Sequence, residues 1–304
     1  MMMREPERWS GMRGTLMRNA PLARHTSWRV GGPADTAYVP ADSDDLAAFV
    51  AQLPASEPLT VLGLGSNVLV RDGGIRGTVV LLHAALSALK MREGLLYAQA
   101  GVASPKVARF AAAEGLRDAE FLAGIPGTIG GALAMNAGCY GGETWQFVES
   151  VDVLTREGST LTHTVDAYRI GYRTVARLDQ AAGNEIFVGA RFRFAQGEST
   201  AARARIKDLL ARRSASQPLN LPNAGSVFRN PQGDHAARLI EVCALKGYAI
   251  GGARVSEKHA NFIVNPSGEA KAADIEALIA HVRTVVCART GIILEPEVRI
   301  IGGT

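Results

Sequence analysis

The chain is poor in cysteine, in aromatic residues and in clustered charge. Its three cysteines, Cys139, Cys243 and Cys287, lie far apart among 304 residues. They make neither a metal-binding pair nor a disulfide framework, so a reducing, cytoplasmic compartment is expected. Aromatic residues are 6% of the chain, the net charge is +4, and no block of five like charges occurs. A basic patch with interleaved aromatics is therefore missing, which argues against a nucleic-acid partner. No run of 18 apolar residues exists, so no membrane insertion is expected. None of the six histidines stands at ligand spacing with Cys or Asp, so no metal is expected. The opening stretch is charged and has no apolar h-region. It reads as a flexible leader over residues 1–15, not as a secretory signal.

What is present is hydrophobic and glycine-rich: 47% apolar residues and 33 Gly. That is ample for a packed core, and the length suggests about two domains. Strands and helices alternate irregularly. Thr36–Val39 reads as a strand, followed by a helix capped by Asp42 or Ser43. The Ala-rich segment after Ser104 reads as a helix with Ser104 at its cap and Pro105 in its first turn. Composition shifts near residues 195–200, where a charged amphipathic helix from Thr200 to about Arg213 begins. Two further helices follow, one after Asp234 and one near Ala272–Asp274 ending at Gly291, and the chain closes on a strand.

Three clusters can carry chemistry. In the first, a strand feeds Gly63-Leu64-Gly65-Ser66-Asn67, a turn whose N–H groups could cradle phosphate, although the Rossmann and P-loop patterns are both incomplete. Alone it reads as a plain turn. The second runs from Ala123 to Gly138, with glycines at 124, 127, 130, 131 and 138. It is too glycine-rich for a good helix and too apolar for a linker, and so many glycines are costly unless backbone packs against a flat or phosphorylated group. The third is Asn223 to Pro231, with Ser226 at its centre. It has no nucleophile elbow and no paired histidine, so Ser226 is a candidate proton donor or a turn-capping residue, not a hydrolytic nucleophile. Arg173 lies in a β-like stretch beside Tyr172. Glu295 and Glu297 flank Pro296, and in a strand they would share one face. His235 and His259 read as structural.

Taken together and in order, HTSWRVGGPAD, LGLGSNVLVRDGG, AGIPGTIGGALAMNAG, GYR, NAGSVFRNP, GYAIGGARVSEKHANFIVN and LEPEVRIIG resemble the UDP-N-acetylenolpyruvoylglucosamine reductases, in their shorter branch. The resemblance covers about residues 20–302. It implies an α+β fold, with a two-lobed FAD-binding module of the vanillyl-alcohol oxidase-like (PCMH) kind and a C-terminal α+β substrate domain. On that pattern the FAD module spans 16–197, with lobes of about 16–85 and 86–197. The substrate domain spans 198–304, its last strand returning to the first lobe.

The resemblance also implies the chemistry: NADPH reduces FAD, which reduces the enolpyruvyl ether of UDP-N-acetylglucosamine enolpyruvate in peptidoglycan precursor synthesis. FAD would be held by Arg29, Gly63, Gly65, Ser66 and Asn67, and by Gly124, Ile125, Pro126, Gly127, Ile129, Gly130, Gly131, Asn136, Ala137 and Gly138. Ser226 matches the proton donor, Arg173 the cation for the substrate carboxylate and enolate, and Glu297 the acid that works with it. Tyr172, Arg229 and Asn230 match substrate-binding positions. The family often has Ser where this chain has Val175, and the insertion carrying a substrate-covering Tyr is absent. The expected partners are small molecules only, with a monomeric chain. An FAD-dependent alcohol or sugar oxidase, or a nucleotide-sugar binding protein without redox activity, are the competing readings.

Overall fold

The computed structural model describes residues 11–179 and 185–304. Of the leader expected over 1–15, residues 1–10 lie outside the described residues, and Thr15 already opens a strand. The chain divides into two compact units, each discontinuous in sequence. One comprises Met1–Met17, Thr36–Gly63 and Gly77–Leu210; the other comprises Arg18–Asp35, Leu64–Arg76 and Ala211–Thr304. The division expected from sequence, continuous segments meeting at 197/198, does not describe these units. Side-chain burial gives the reason. Trp28, Val30 and Leu69 share one core with Leu239, Ile275, Leu278 and Val282.

The first unit is built around a five-stranded antiparallel sheet. Its order is Thr160–Thr164, Val148–Leu154, Ile186–Phe192, Leu95–Gln99, Leu89–Arg92. Alternation along the strands sends Leu96, Ala98, Val151, Val153, Ala190 and Phe192 into a core shared with Val107, Ala108 and Ala111 of the helix Ser104–Ala113. Asp152 is buried but satisfied: Arg191 Nη1 and Thr162 Oγ1 both donate to it at 2.7 Å. A second core gathers Tyr38, Leu46, Phe49, Val50 and Val80 beside the parallel pairing of Leu59–Leu62 with Thr78–Leu81. The helix Ser43–Gln52 starts as expected, with the Asp42 carboxylate accepting from Asp45 N at 2.9 Å. The next helix differs from expectation. Its cap is Ala103, and Ser104 is the first helical residue. Ser104 N instead donates to Gly127 O at 2.9 Å, because residue 103 bridges to Thr128.

In the second unit the last strand, Arg299–Ile301, runs parallel to Val68–Val70. A small antiparallel sheet orders Ala249–Ile250, Ala253–Val255 and Ile263–Val264. The helix Ala272–Thr290 ends at Gly291, whose φ of 73° is a left-handed cap. Its start is capped by a residue remote in sequence. The Asp72 carboxylate accepts from Ala272 N at 3.0 Å and Ala273 N at 2.9 Å. Arg71 beside it makes two hydrogen bonds to Glu276, at 2.9 and 2.8 Å. Those bonds pull the Glu276 carboxyl below its ordinary range and raise the Arg71 guanidinium. Replacing Asp72 by alanine should destabilise the protein by about 0.5–2 kcal/mol, the range for loss of a helix cap. Urea denaturation of the two proteins measures it, and an unshifted midpoint would contradict the capping role.

Candidate active site

The glycine-dense segments of the first unit meet each other. A Cβ on Gly63, at the end of the strand Leu59–Leu62, would lie 2.3 Å from Thr128 Oγ1, so only glycine permits the approach. The stretch expected to resist helix formation contains a short one, Ile129–Ala134. Long-range hydrogen bonds overcome the local glycine penalty: Ile129 N donates to Val102 O and Gly130 N to Ala100 O, both at 2.9 Å. Those two N–H groups are therefore engaged by backbone and do not serve a phosphate. Gly131 differs. It is exposed, and a Cβ there would meet only Thr128 Oγ1, at 3.9 Å. Pro126 is also exposed, whereas Gly124, Ile125, Gly127 and Ile129 are buried. Gly124 packs where a Cβ would strike Cys139 Sγ at 2.5 Å. Ala137 N donates to Ala132 O at 2.9 Å.

Arg173 does not lie along a strand as its neighbours suggest. Tyr168–Gly171 and Thr174–Arg177 form a hairpin whose last pair is Gly171 and Thr174, leaving Tyr172 and Arg173 as the turn. Arg173 has a φ of 54°, uncommon for a residue other than glycine. Its guanidinium donates to Asn136 O at 3.3 Å and Gly138 O at 3.5 Å, and its Cζ lies 5.0 Å from the Tyr172 ring. Tyr172 is 50% exposed. Val175 pairs with Ile170 and packs against the sheet core, so its contribution here is apolar. Asn136, expected to face the cofactor, is instead 1% exposed, with its amide engaged within the protein. Its Nδ2 donates to Glu143 Oε2 at 2.9 Å and Gly171 O at 3.2 Å, and its Oδ1 accepts from Trp145 N at 3.1 Å.

The second unit carries the remaining candidates. Gly65, buried and at φ 58°, sits where a Cβ would lie 2.1 Å from His25 O. Its carbonyl accepts from Ser27 N at 3.1 Å and Ser27 Oγ at 3.3 Å. Ser66 is half-buried, and Arg29, at φ 60°, is exposed. Asn67 Nδ2 donates to Glu297 O at 3.3 Å, and Asn67 O accepts from Arg299 N at 3.0 Å. The continuation of this motif, Arg71-Asp72-Gly73-Gly74, belongs to the docking of the last helix and strand; Gly73 N donates to Gly303 O at 3.1 Å.

Ser226 is half-buried on a turn fixed from both sides. Gly225, at φ 74°, donates its N–H to Asn223 Oδ1 at 2.9 Å. Val227 N donates to Asn261 O at 2.9 Å, and Val227 O accepts from Glu297 N at 2.7 Å. Ser226 and Glu297 thus stand on two segments joined directly by backbone. Asn261, not among the candidates, clamps the same turn: its Oδ1 accepts from Phe228 N at 3.0 Å and its Nδ2 donates to Phe228 O at 2.8 Å. Residues 295–297 form no regular strand; Pro296 makes an isolated bridge to Phe228. Glu295 is exposed and Glu297 half-buried, so the two do not share an environment. Arg229, half-buried, donates its N–H to Glu295 O at 2.9 Å. Asn230 is exposed, and its Oδ1 accepts from Ala236 N at 3.1 Å at the start of the helix Ala236–Val242. His259 packs edge-on against Phe262, and burial lowers its pKa, which favours the neutral ring. Among the described residues no group of three His, Cys, Asp or Glu could hold a metal, and no helix is long and apolar enough to cross a membrane.

Known proteins resemble this chain in sequence and in fold. Residues 34–164 match the model of an FAD binding domain, and residues 217–301 match that of the UDP-N-acetylenolpyruvoylglucosamine reductase C-terminal domain. The chain is 55% identical to the UDP-N-acetylenolpyruvoylglucosamine reductase of Nitrosospira multiformis, over 97% of this chain and 90% of that one. It is 57% identical to the enzyme of the same name from Methylococcus capsulatus, over 95% and 94% of the two chains. The crystal structure of UDP-N-acetylenolpyruvylglucosamine reductase from Thermus caldophilus superimposes with a TM-score of 0.79 at 31% identity, covering 95% of this chain and 99% of that one.

Proposed function

The chain belongs to the UDP-N-acetylenolpyruvoylglucosamine reductase family, and from that premise we propose how its residues carry the reaction. It is an FAD-dependent oxidoreductase that reduces the enolpyruvyl ether of a UDP-linked N-acetylglucosamine to UDP-N-acetylmuramate. The relatives support this reading over the oxidase alternative. NADPH is the reductant, the step serves peptidoglycan precursor synthesis in the cytoplasm, and the partners are these small molecules with the enzyme as a monomer.

The residues present suit FAD. Gly131, exposed and without a side chain, and Pro126, exposed just before the same short helix, leave room for a flat or anionic group, and Ser66 and Asn67 offer polar side chains on a fixed turn. These residues, with Arg29, Gly63 and Gly65, would hold it. When bound, FAD supplies a hydride, taken from NADPH, to C3 of the enolpyruvyl group. The protein must then manage charge and a proton at C2. Arg173 binds the substrate carboxylate and offsets the negative charge that spreads from C2 into it. Ser226 Oγ delivers the proton to C2, completing addition of hydride and proton across the double bond. Glu297 works at the same carbon, orienting the donor. Tyr172, Arg229 and Asn230 contact the remainder of the nucleotide.

The observation that carries this reading is the fixed turn of Ser226 joined by backbone to Glu297 through Val227. The direct test is anaerobic. Purified yellow protein should bleach with NADPH and recover its colour when the enolpyruvyl nucleotide is added, with one equivalent of the muramate product formed. A protein that holds no flavin, or that is reoxidised only by oxygen, would refute it.

A further inference from the structure

We propose that Asn136 is a positioning residue for Arg173, tying the glycine-dense loop to the turn that presents the guanidinium. The inference rests on the reading of Arg173 as the cation for the substrate carboxylate. The observations lie within one compact unit and close a ring. The Asn136 side chain donates to Gly171 O at 3.2 Å. Gly171 is the last strand residue before the Tyr172–Arg173 turn. From that turn the Arg173 side chain reaches back to donate to Asn136 O and Gly138 O.

The amide orientation is dictated, not free. A carboxylate accepts only, so Glu143 Oε2, 2.9 Å away, requires the NH2 group on its side. Trp145 N donates, so it requires the oxygen on the other. The second amide hydrogen is then directed at Gly171 O. Glu143 is itself fixed, its N–H donating to Gln146 Oε1 at 3.0 Å and its Cα paired with Gly138 across a short hairpin. Asn136 has a φ of 41°, which Asn and Asp tolerate better than other side chains. An apolar residue of equal volume would fill the space but leave Gly171 O and Trp145 N without these partners. What the hydrogen bond to Gly171 O adds is support for an Arg173 backbone held in an uncommon conformation.

The experiment compares three proteins as holoenzymes: Asn136→Asp with Glu143→Gln, Glu143→Gln alone, and Arg173→Ala. The paired change exchanges the two chemistries, so that an amide at position 143 donates to a carboxylate at position 136 and the link inside the loop is rebuilt. It cannot rebuild the bond to Gly171 O, because a carboxylate does not donate. The paired variant should oxidise its reduced flavin with the enolpyruvyl nucleotide at least tenfold more slowly, relative to reduction by NADPH, than the parent does. Calorimetry on the oxidised protein should show at least a tenfold weaker affinity for that nucleotide. Glu143→Gln alone, which can still offer an amide oxygen to Asn136, should stay within about threefold of the parent in both. If the paired variant matches the parent, Asn136 serves only its own loop and the proposal fails. If Arg173→Ala also matches the parent, the assigned role of Arg173 fails first. Should the paired variant not fold, Asn136→Gly, which suits φ 41°, carries the same expectation and the same refutation.

Discussion

Replacing Ser226 by alanine is expected to separate the two halves of the catalytic cycle. Reduction of the flavin by NADPH should proceed, while oxidation by the enolpyruvyl nucleotide should slow by ~10²–10⁴, the scale of lost general acid help. The structure makes this substitution clean. The turn around Ser226 is fixed by backbone groups and by Asn223 and Asn261, none of which depends on the hydroxyl. Stability should therefore change by less than about 1 kcal/mol. Hydride arriving at C3 leaves negative charge at C2 that the proton must discharge, so loss of the donor slows net oxidation of the flavin but not its reduction by NADPH. Rapid-mixing measurement of each half-reaction decides the matter: equal slowing of both, or of neither, would mean that Ser226 merely caps its turn.

Removing the Arg173 guanidinium should have the second largest effect. Loss of a preorganised donor facing developing negative charge costs ~2.7–4 kcal/mol, or about 10²–10³ in kcat. In the role proposed for it the same group also binds the ground-state carboxylate, so KM for the nucleotide should rise as well. Arg173→Ala meets the φ of 54° with a side chain no worse suited to it than arginine, so the loss reports on charge, not on backbone strain. Arg173→Lys should fall between. It keeps a positive charge but loses the planar fork that donates to two carbonyls. A steady-state comparison of kcat and KM across the three proteins is sufficient, and unchanged values for the alanine variant would remove Arg173 from the site.

Local sequence carried part of this. The Asp42 cap and the terminal Gly291 were readable because each needs only neighbours within one turn. Partners distant in the chain decided the rest. Ile129–Ala134 is helical because Ala100 and Val102 accept its first N–H groups, which no local propensity anticipates. Asp72 caps a helix that begins at residue 272, a partner that no reading of its own turn could supply. Asn136 is a cofactor contact on the family resemblance, yet Glu143, Trp145 and Gly171 occupy its amide. The positive φ of Arg173 was equally hidden, since arginine gives no sign of the left-handed region.

The parallel pairing of Val68–Val70 with Arg299–Ile301 has a consequence for biosynthesis. The earlier strand leaves the ribosome long before its partner exists. At the usual elongation speed the wait is about 10–50 s. Throughout that interval Trp28, Val30 and Leu69 lack the C-terminal helices that will bury them. The nascent polypeptide thus travels with apolar side chains awaiting their counterpart, and synthesis of the later segments, not local condensation, sets when this unit can assemble.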